Sequence, residues 1–120
     1  MINYKHKAKL IRQKILSMAI KAGKGHVPPA FSWVEIGIAL FYGKLLNINF
    51  KKRAFKNRDR FILSKGHGCL TLYVILSDLN FFSKKELNKF AGDGSMLAGH
   101  PDEDIPGVEN SSGSLGHGLG

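Results

Sequence analysis

The sequence predicts an α/β fold. Residues 61–64, Phe-Ile-Leu-Ser, form a short apolar run typical of a buried strand, and an apolar helical pattern begins at residue 69. Between them lies Lys65-Gly66-His67-Gly68, a polar segment at the carboxyl end of the predicted strand. Open α/β sheets bind their ligands at this end of the strands. Because glycines carry no side chain, those beside His67 would let a neighbouring group approach the backbone closely.

Length and composition limit the chain to one small domain. It has 120 residues, of which 43% are hydrophobic, as in an ordinary globular protein. Its one cysteine, Cys69, excludes an intramolecular disulfide and a cysteine-based zinc site. No stretch reaches the roughly 18 apolar residues of a membrane span, and the N-terminus does not resemble a signal peptide. We therefore expect a soluble, cytoplasmic protein without a membrane partner.

The charge is strongly basic and unevenly distributed. All 18 lysines and arginines lie in residues 1–91, and the formal net charge is +9. Residues 49–60 combine basic side chains with Phe50 and Phe55, which could suit single-stranded nucleic acid. A surface loop with an ion-pair cluster of Arg58, Asp59 and Arg60 explains the same residues more simply. A basic nucleic-acid-binding module therefore stays a less favoured alternative, beside a non-catalytic module that associates with a partner chain.

The N-terminal half predicts two helices joined by a loop. Apolar residues recur every three or four positions over 5–22, which indicates an amphipathic helix. Residues 23–31 contain clustered glycines and paired prolines, so we predict a loop there. Ser32 and Glu35 have the spacing of a reciprocal capping box and predict a helix to about Leu46. This helix is apolar on nearly all sides, which predicts burial against more protein than these residues supply.

The second half predicts two further helices and a long loop. The apolar pattern over 69–79 predicts a helix after the strand, and Ser83 with Glu86 predicts a capped helix through Phe90. From Gly92 the chain is rich in glycine and loses its periodicity. Since apolar residues such as Val108 are embedded in it, we predict an ordered loop that lines a site.

Three histidines lie beside glycines, and we predict that they share one pocket. They are His26 after Gly25, His67 between two glycines, and His100 after Gly99. Imidazole can transfer protons near neutral pH and can also bind metals. The spacing of the histidines matches no compact zinc motif, so no metal site is predicted.

These segments, taken together, resemble the start of a transketolase. The resemblance rests on Gly25-His26, on Arg58 to His67 (RDRFILSKGH), on Gly94 to Pro101 (GSMLAGHP), on Gly107-Val108-Glu109 and on Gly113 to Gly116 (GSLG). It covers the chain from about residue 10, and it is strongest to the separately encoded N-terminal subunit that carries the diphosphate-binding domain. Residues 1–120 are thus identified as the N-terminal portion of one transketolase-like domain.

The resemblance implies a fold, an activity and a set of site residues. The fold is the incomplete start of a thiamine diphosphate-binding domain, a mainly parallel sheet flanked by helices. The activity is transfer of a two-carbon ketol unit between sugar phosphates, with thiamine diphosphate and Mg²⁺. The resemblance implies catalytic roles for three histidines and cofactor contacts for a second set of residues: the catalytic residues are His26, His67 and His100, and the cofactor-binding residues are His67, Gly113, Ser114, Leu115, Gly116 and His117.

The sequence also departs from the family pattern. Val27-Pro28-Pro29 replaces a glycine-containing run, Ser114 stands where many members have proline, and His117 where many have glutamine. Gly92-Asp93-Gly94 resembles the start of the family's metal–diphosphate motif, but no asparagine follows at the required distance. We therefore interpret Asp93 as a turn residue.

These departures imply an incomplete enzyme. We expect the chain to be inactive alone and to work with the remaining segment or with a separate C-terminal subunit, as a homo- or hetero-oligomer. A deoxyxylulose-phosphate synthase-like enzyme of the same family is the nearest alternative.

Overall fold

The computed structural model describes residues 1–48 and 56–113, and within these ranges the protein is helical. Helices α1, α3 and α4 pack against one another, and α2 lies against α1 and α4. The bounds of the four α-helices and two 3₁₀ segments are as follows: α1 Tyr4–Ala22, α2 Val27–Phe31, α3 Val34–Tyr42, α4 Cys69–Asp78, and 3₁₀ segments Gly66–Gly68 and Lys84–Lys89.

Helix α1 confirms the predicted amphipathic helix over 5–22. The Asn3 side chain accepts a hydrogen bond from the backbone N–H of His6 and so caps the first turn. Ile11, Ile15 and Met18 are buried on one face. Gly23 ends the helix with φ 71°, a left-handed conformation that glycine adopts without strain.

The segment between α1 and α3 corrects two predictions. Residues 23–31 are not all loop, because Val27–Phe31 forms the short helix α2 with proline in its first turn. Proline is tolerated there, since the first N–H groups of a helix have no intrahelical partner. The predicted capping box is also wrong: Ser32 donates to the carbonyl of Pro29, and Glu35 pairs with Arg12 of α1.

Helix α3 is shorter and less buried than the sequence predicts. It ends at Tyr42 rather than near Leu46. Val34, Ile38 and Phe41 are buried, but Ile36 is 60% and Leu45 68% exposed. The apolar surface beyond the buried face therefore has no cover from the described part of the chain.

Helix α4 is the centre of the core, and its position confirms the helix predicted over 69–79. Every residue from Cys69 to Ser77 is buried. It contacts all three other α-helices. The hydroxyl of Thr71, in its first turn, donates to the buried carbonyl of Ala30 at 2.7 Å, so the polar group has a partner inside the core.

The predicted strand over residues 61–64 is not observed, and the parallel sheet of the expected α/β fold is not shown. Residues 59–65 form neither helix nor strand, and no strand occurs within 1–48 and 56–113. A strand needs a neighbour for its backbone hydrogen bonds, and the described residues provide none. Phe61 instead stacks on Trp33, with ring centroids 5.6 Å apart, while Leu63 is buried.

The remaining segments are held by side chains. The helix predicted from Ser83 is a 3₁₀ helix, and the Ser83 hydroxyl accepts from the N–H of Lys85. In the irregular chain from residue 92, Leu97, Ile105 and Val108 are buried, which agrees with an ordered loop. No helix in the described ranges is long and apolar enough to cross a membrane.

The ion pair of Arg58 differs from the predicted cluster of Arg58, Asp59 and Arg60. Arg58 pairs with Glu109, some fifty residues further along the chain, and so fastens the irregular segment to the body. Asp59 accepts a hydrogen bond from the N–H of Asn47 at 2.7 Å, and the N–H of Asp59 donates to the carbonyl of Asn47 at 2.8 Å. Residues 49–55, with Phe50 and Phe55, lie outside the described residues.

Candidate functional site

Three imidazole rings meet at one place. The ring centroids of His67 and His100 are 4.6 Å apart, those of His26 and His67 4.8 Å, and those of His26 and His100 5.7 Å. The three side chains come from the loop before α2, the turn before α4 and the irregular segment after residue 92. The structure thus brings together residues 41 and 33 positions apart in the sequence.

Gly25 sets the direction of His26. Its φ of 139° is a conformation that residues with side chains rarely adopt. A Cβ at this position would also lie 3.3–3.4 Å from side-chain atoms of Ala19, Leu70 and Phe90. The chain can therefore turn closely over α1 and α4 and present His26, which is exposed, at the start of α2.

The glycines on both sides of His67 serve packing within the protein. A Cβ on Gly68 would lie 2.7 Å from Nε1 of Trp33, which donates a hydrogen bond to the Gly68 carbonyl at 3.0 Å. A Cβ on Gly66 would lie 2.8–2.9 Å from atoms of Ser112. The close approach that the sequence predicts is therefore made by an indole and a backbone segment, which fix the turn carrying His67.

Two side chains of α4 hold the loop of His100. The Cys69 thiol donates to the carbonyl of Gly99 at 3.1 Å, and the Tyr73 hydroxyl lies 2.7 Å from the carbonyl oxygen of Ala98 and 3.1 Å from that of His100. Burial raises the pKa of Cys69 to about 11 and also raises the pKa of Tyr73. Both groups therefore stay protonated near neutral pH, as their roles as donors require.

The electrostatics of the cluster favour a neutral imidazole at position 100. Partial burial lowers the pKa of His100, and repulsion from His67 and His26 lowers it further. The Nδ1 atom of His67 and the Nε2 atom of His100 are buried and have no hydrogen-bond partner within residues 1–48 and 56–113. Buried polar atoms are normally paired, so these two nitrogens indicate a place for a polar ligand.

A cleft of about 390 Å³ opens beside His26. One wall is the loop carrying His26. The other is the segment that follows the 3₁₀ segment Lys84–Lys89 and leads to His100. Its lining residues are Lys24, Gly25, His26, Phe90, Ala91, Gly92, Ser95, Leu97, Ala98 and Gly99. The cleft has the size of a small-molecule site and borders a histidine of the cluster.

The predicted cofactor-binding residues are only partly described. Gly113 lies beside His100, because a Cβ on it would be 3.5 Å from the imidazole Cδ2. Ser114, Leu115, Gly116 and His117 lie outside the described residues. Asp93 is exposed in a turn, as predicted. In the described ranges the only group of three or more potential metal ligands is formed by the histidines, so Asp93 is not part of such a group.

Sequence reasoning missed three residues that position the cluster: Trp33, Tyr73 and Ser112. Tyr73 and Cys69 are four residues apart on one helix and so share a face. The sequence shows this spacing but not which backbone groups the two side chains contact. Ser112 donates its hydroxyl to the Leu63 carbonyl at 2.9 Å. Its role depends on a contact between residues 49 positions apart, which the sequence alone does not disclose.

Comparison with known families gives one match over nearly the whole chain. Residues 4–120 match the family model "Transketolase, thiamine diphosphate binding domain". The chain is 35% identical over 108 residues to an apulose-4-phosphate transketolase subunit from Phocaeicola vulgatus, covering 90% of this chain and 38% of that protein. It is 36% identical over 119 residues to the 6-deoxy-6-sulfo-D-fructose transketolase subunit SqwG of a Clostridium species, covering 98% and 43%.

Solved structures agree with the sequence relatives. A transketolase from Leishmania mexicana superposes with a TM-score of 0.86 at 30% identity, over 99% of this chain and 18% of that one. A transketolase from Pichia stipitis in complex with sedoheptulose 7-phosphate gives a TM-score of 0.77 at 31% identity, over 97% and 17%. The chain thus spans about two fifths of the subunit relatives and less than a fifth of these longer enzymes.

Proposed function

The chain belongs to the transketolase family, within its thiamine diphosphate-binding domain, and we propose that it supplies one wall of an active site that transfers a two-carbon ketol unit between sugar phosphates. The observation that carries the proposal is the convergence of His26, His67 and His100. Their ring centroids lie 4.6–5.7 Å apart, His26 lines a cleft, and one buried nitrogen on each of His67 and His100 has no partner in the described residues. Substrate hydroxyls and carbonyl oxygens are groups that such nitrogens bind.

The residues present fit a cofactor with polar groups. The unpartnered His67 Nδ1 and His100 Nε2 require a hydrogen-bonding ligand, and Gly113 keeps the space beside His100 free of a side chain. We propose that His67 and Gly113, with Ser114, Leu115, Gly116 and His117, contact the cofactor. When bound, thiamine diphosphate supplies the carbanion chemistry that breaks and forms a carbon–carbon bond.

The histidines would bind and protonate the substrate. A neutral imidazole both donates and accepts a hydrogen bond, so a neutral His100 can accept a proton from a substrate hydroxyl. An imidazole that carries a proton stabilises negative charge developing on a carbonyl oxygen. Proton transfer by a positioned side chain contributes typically about 10²–10⁴-fold to rate.

The substrate class follows from charge and from the relatives. The Pichia stipitis structure contains a sugar phosphate, and the Phocaeicola vulgatus relative is named for one. Lys24 lines the cleft next to His26, and the chain carries a net charge of +9. A positive field raises the local concentration of anionic substrates. We therefore propose sugar phosphates as substrates.

The rest of the active site would come from further protein. Some relatives are named as subunits. Ile36 on α3 and Leu45 just after it are exposed, and a companion surface would cover them. We propose that the chain works with a remaining segment or a separate C-terminal subunit, in a homo- or hetero-oligomer. Mg²⁺ prefers oxygen ligands, whereas the described ligand group consists of histidines, so the ligands of a diphosphate-bound Mg²⁺ would lie outside this cluster.

A chimaeric enzyme tests the function. The segment of the Leishmania mexicana transketolase that superposes on this chain is replaced by the chain, and ketol transfer between sugar phosphates is measured with thiamine diphosphate and Mg²⁺. We expect activity that falls about 10²-fold or more in His67→Gln and His100→Gln, because each removes a proton-transferring group. His6→Gln is the matched control, since His6 is exposed on α1.

The outcomes separate the alternatives. A chimaera that assembles and binds thiamine diphosphate but transfers no ketol group would contradict the proposal. Turnover that depends on pyruvate as donor would favour the deoxyxylulose-phosphate synthase-like alternative. The chain by itself, given thiamine diphosphate and Mg²⁺, should show no turnover, and activity there would overturn the need for further protein.

A further inference from the structure

The histidine cluster has a second chemical capacity that ketol transfer does not use. One ring nitrogen from each of His26, His67 and His100 can be chosen so that all three lie within 4.8 Å of one another. We propose that these three imidazoles form a binding site for one divalent first-row transition-metal ion, with Zn²⁺ as the ion it would meet in a cell. The site would use three protein ligands and leave one coordination position open.

The nitrogen atoms are near enough to reach the spacing of a three-histidine site after side-chain movement. Zinc binds imidazole nitrogen at about 2.0–2.1 Å with tetrahedral geometry, which places the ligand nitrogens about 3.4 Å apart. A nitrogen pair at the 4.8 Å limit would therefore have to close by about 1.4 Å. Rotation of side chains can contribute to this movement, and His26 is the exposed member of its pair with His67.

Two of the imidazoles each have a nitrogen that makes no hydrogen bond in the described ranges. Nδ1 of His67 and Nε2 of His100 have no hydrogen-bond partner within residues 1–48 and 56–113. No described contact therefore has to break for these two atoms to serve as metal ligands. A buried nitrogen without a hydrogen-bond partner costs free energy. A metal ion that coordinates these nitrogens would remove part of that cost.

The donor set selects the class of ion. Imidazole suits zinc, copper, nickel and cobalt, whereas calcium and magnesium require oxygen ligands. The described group contains no carboxylate. The proposed ion is therefore chemically distinct from the Mg²⁺ that would accompany a diphosphate, and the two should not compete for one site.

The linear spacing of the histidines does not argue against such a site. The comparison with zinc motifs covers only compact patterns in which the ligands lie on one or two short segments. Here the ligands come from three separate segments, positioned by Gly25, by Trp33 against Gly68, and by Tyr73 against residues 98–100. Catalytic zinc sites with three protein ligands also keep a fourth position open.

Binding is measured directly with the metal ion. The full chain is produced without a histidine tag, stripped with EDTA, and titrated with Zn²⁺ by calorimetry and with Co²⁺ by visible absorption. We expect one equivalent to bind, and a Co²⁺ spectrum with the intense bands of a four- or five-coordinate nitrogen site. No saturable binding, or a six-coordinate Co²⁺ spectrum, would overturn the proposal.

Variants locate the site. His26→Gln, His67→Gln and His100→Gln should each weaken binding by at least about tenfold, since even groups that only orient a ligand contribute about 10–100-fold. His6→Gln is the control and should bind as the wild type does. If His6→Gln weakens binding equally, or if none of the three cluster variants does, the ion binds elsewhere and the proposal is wrong.

A measurement on the wild-type chain protects the test against misfolded variants. Paramagnetic Co²⁺ broadens nuclear resonances near its site, so at substoichiometric concentration it should broaden the imidazole signals of His26, His67 and His100 and spare His6. The reverse pattern would contradict the proposal. Because thiamine diphosphate is absent throughout, failure here leaves the chimaera assay of ketol transfer unaffected, and the two proposals can fail separately.

Discussion

Replacing Gly68 with alanine tests the packing that holds His67 in place. The new methyl group would lie 2.7 Å from Nε1 and 3.1 Å from Cδ1 of Trp33, and 3.3 Å from the Pro29 carbonyl oxygen. Real Cβ atoms essentially never approach within 3.0 Å of a neighbour, so the indole must shift. Trp33 is 5% exposed and packs in the core, which leaves little space for the movement.

The magnitude follows from two contributions. Forcing an extra methyl group into a packed core costs typically about 1–3 kcal/mol. The shift would also weaken the hydrogen bond from Trp33 to the Gly68 carbonyl, worth about 0.5–1.5 kcal/mol. We expect Gly68→Ala to lower the free energy of unfolding by about 2–3 kcal/mol. With a urea dependence of about 1–3 kcal/mol per molar, the unfolding midpoint should fall by roughly 0.7–3 M.

The assay is urea unfolding followed by the fluorescence of Trp33, the only tryptophan in the chain. Gly99→Ala is the matched control, because a Cβ there has no atom within 4 Å and the glycine beside His100 has no left-handed backbone. We expect the control to change stability by less than about 0.5 kcal/mol. Equal stability of Gly68→Ala and the wild type, or equal losses in both variants, would refute the packing argument.

Two ion pairs give further predictions. Asp78 is partly buried, which by itself raises its pKa, but hydrogen bonds from Lys7 and Tyr42 outweigh burial and lower the pKa below its usual value. Because the folded state holds the carboxylate charged, this stabilisation is present above pH 4 and is lost as the pH falls through the lowered pKa. Asp78→Asn should therefore lower stability by about 2 kcal/mol at pH 7. Its urea midpoint should approach that of the wild type as the pH falls through the lowered pKa, and a constant difference would contradict this. Glu109→Gln should lower stability by about 1 kcal/mol, because it breaks the partly buried ion pair between Glu109 and Arg58. Backbone hydrogen exchange near Ile105 and Val108 should become faster. Unchanged exchange would argue against a role of this ion pair in holding residues 105–109.

Much of the helical structure could be predicted from the sequence because its signals are local. The spacing of Ile11, Ile15 and Met18 fixes the buried face of α1, and Gly23 marks its end. The apolar run after residue 68 predicts α4, although periodicity does not show that this helix is buried on every side. A continuous apolar run predicts that a segment is buried, but it does not identify the elements that pack around it.

The errors arise where local patterns compete with contacts distant in sequence. Ser32 and Glu35 have the spacing of a capping box, but Arg12 of α1 binds Glu35, and the Ser32 hydroxyl lies 2.5 Å from Nζ of Lys65. The run 61–64 has the composition of a strand but lacks a pairing partner in the described ranges. Strand pairing is decided by other segments, so composition cannot settle it.

The convergence of the three histidines was predictable from the sequence, but the contacts that hold them in place were not. Glycine beside each of His26, His67 and His100 indicates tight backbone geometry, and the family resemblance adds that the three belong together. The supporting contacts of Trp33 and Tyr73 join residues 25–35 positions apart. Such pairs leave no periodic or motif signal in a single sequence.

The measurement that tests the central claim most directly is the pH titration of His100 by nuclear magnetic resonance, in the full chain with EDTA present. Burial and repulsion from His67 and His26 lower the pKa of His100. Replacing His67 by glutamine removes one source of this repulsion, so the pKa of His100 should rise towards its usual value, whereas His6→Gln should leave it unchanged. If His67→Gln and His26→Gln both leave the pKa of His100 unaltered, the three imidazoles do not share one site.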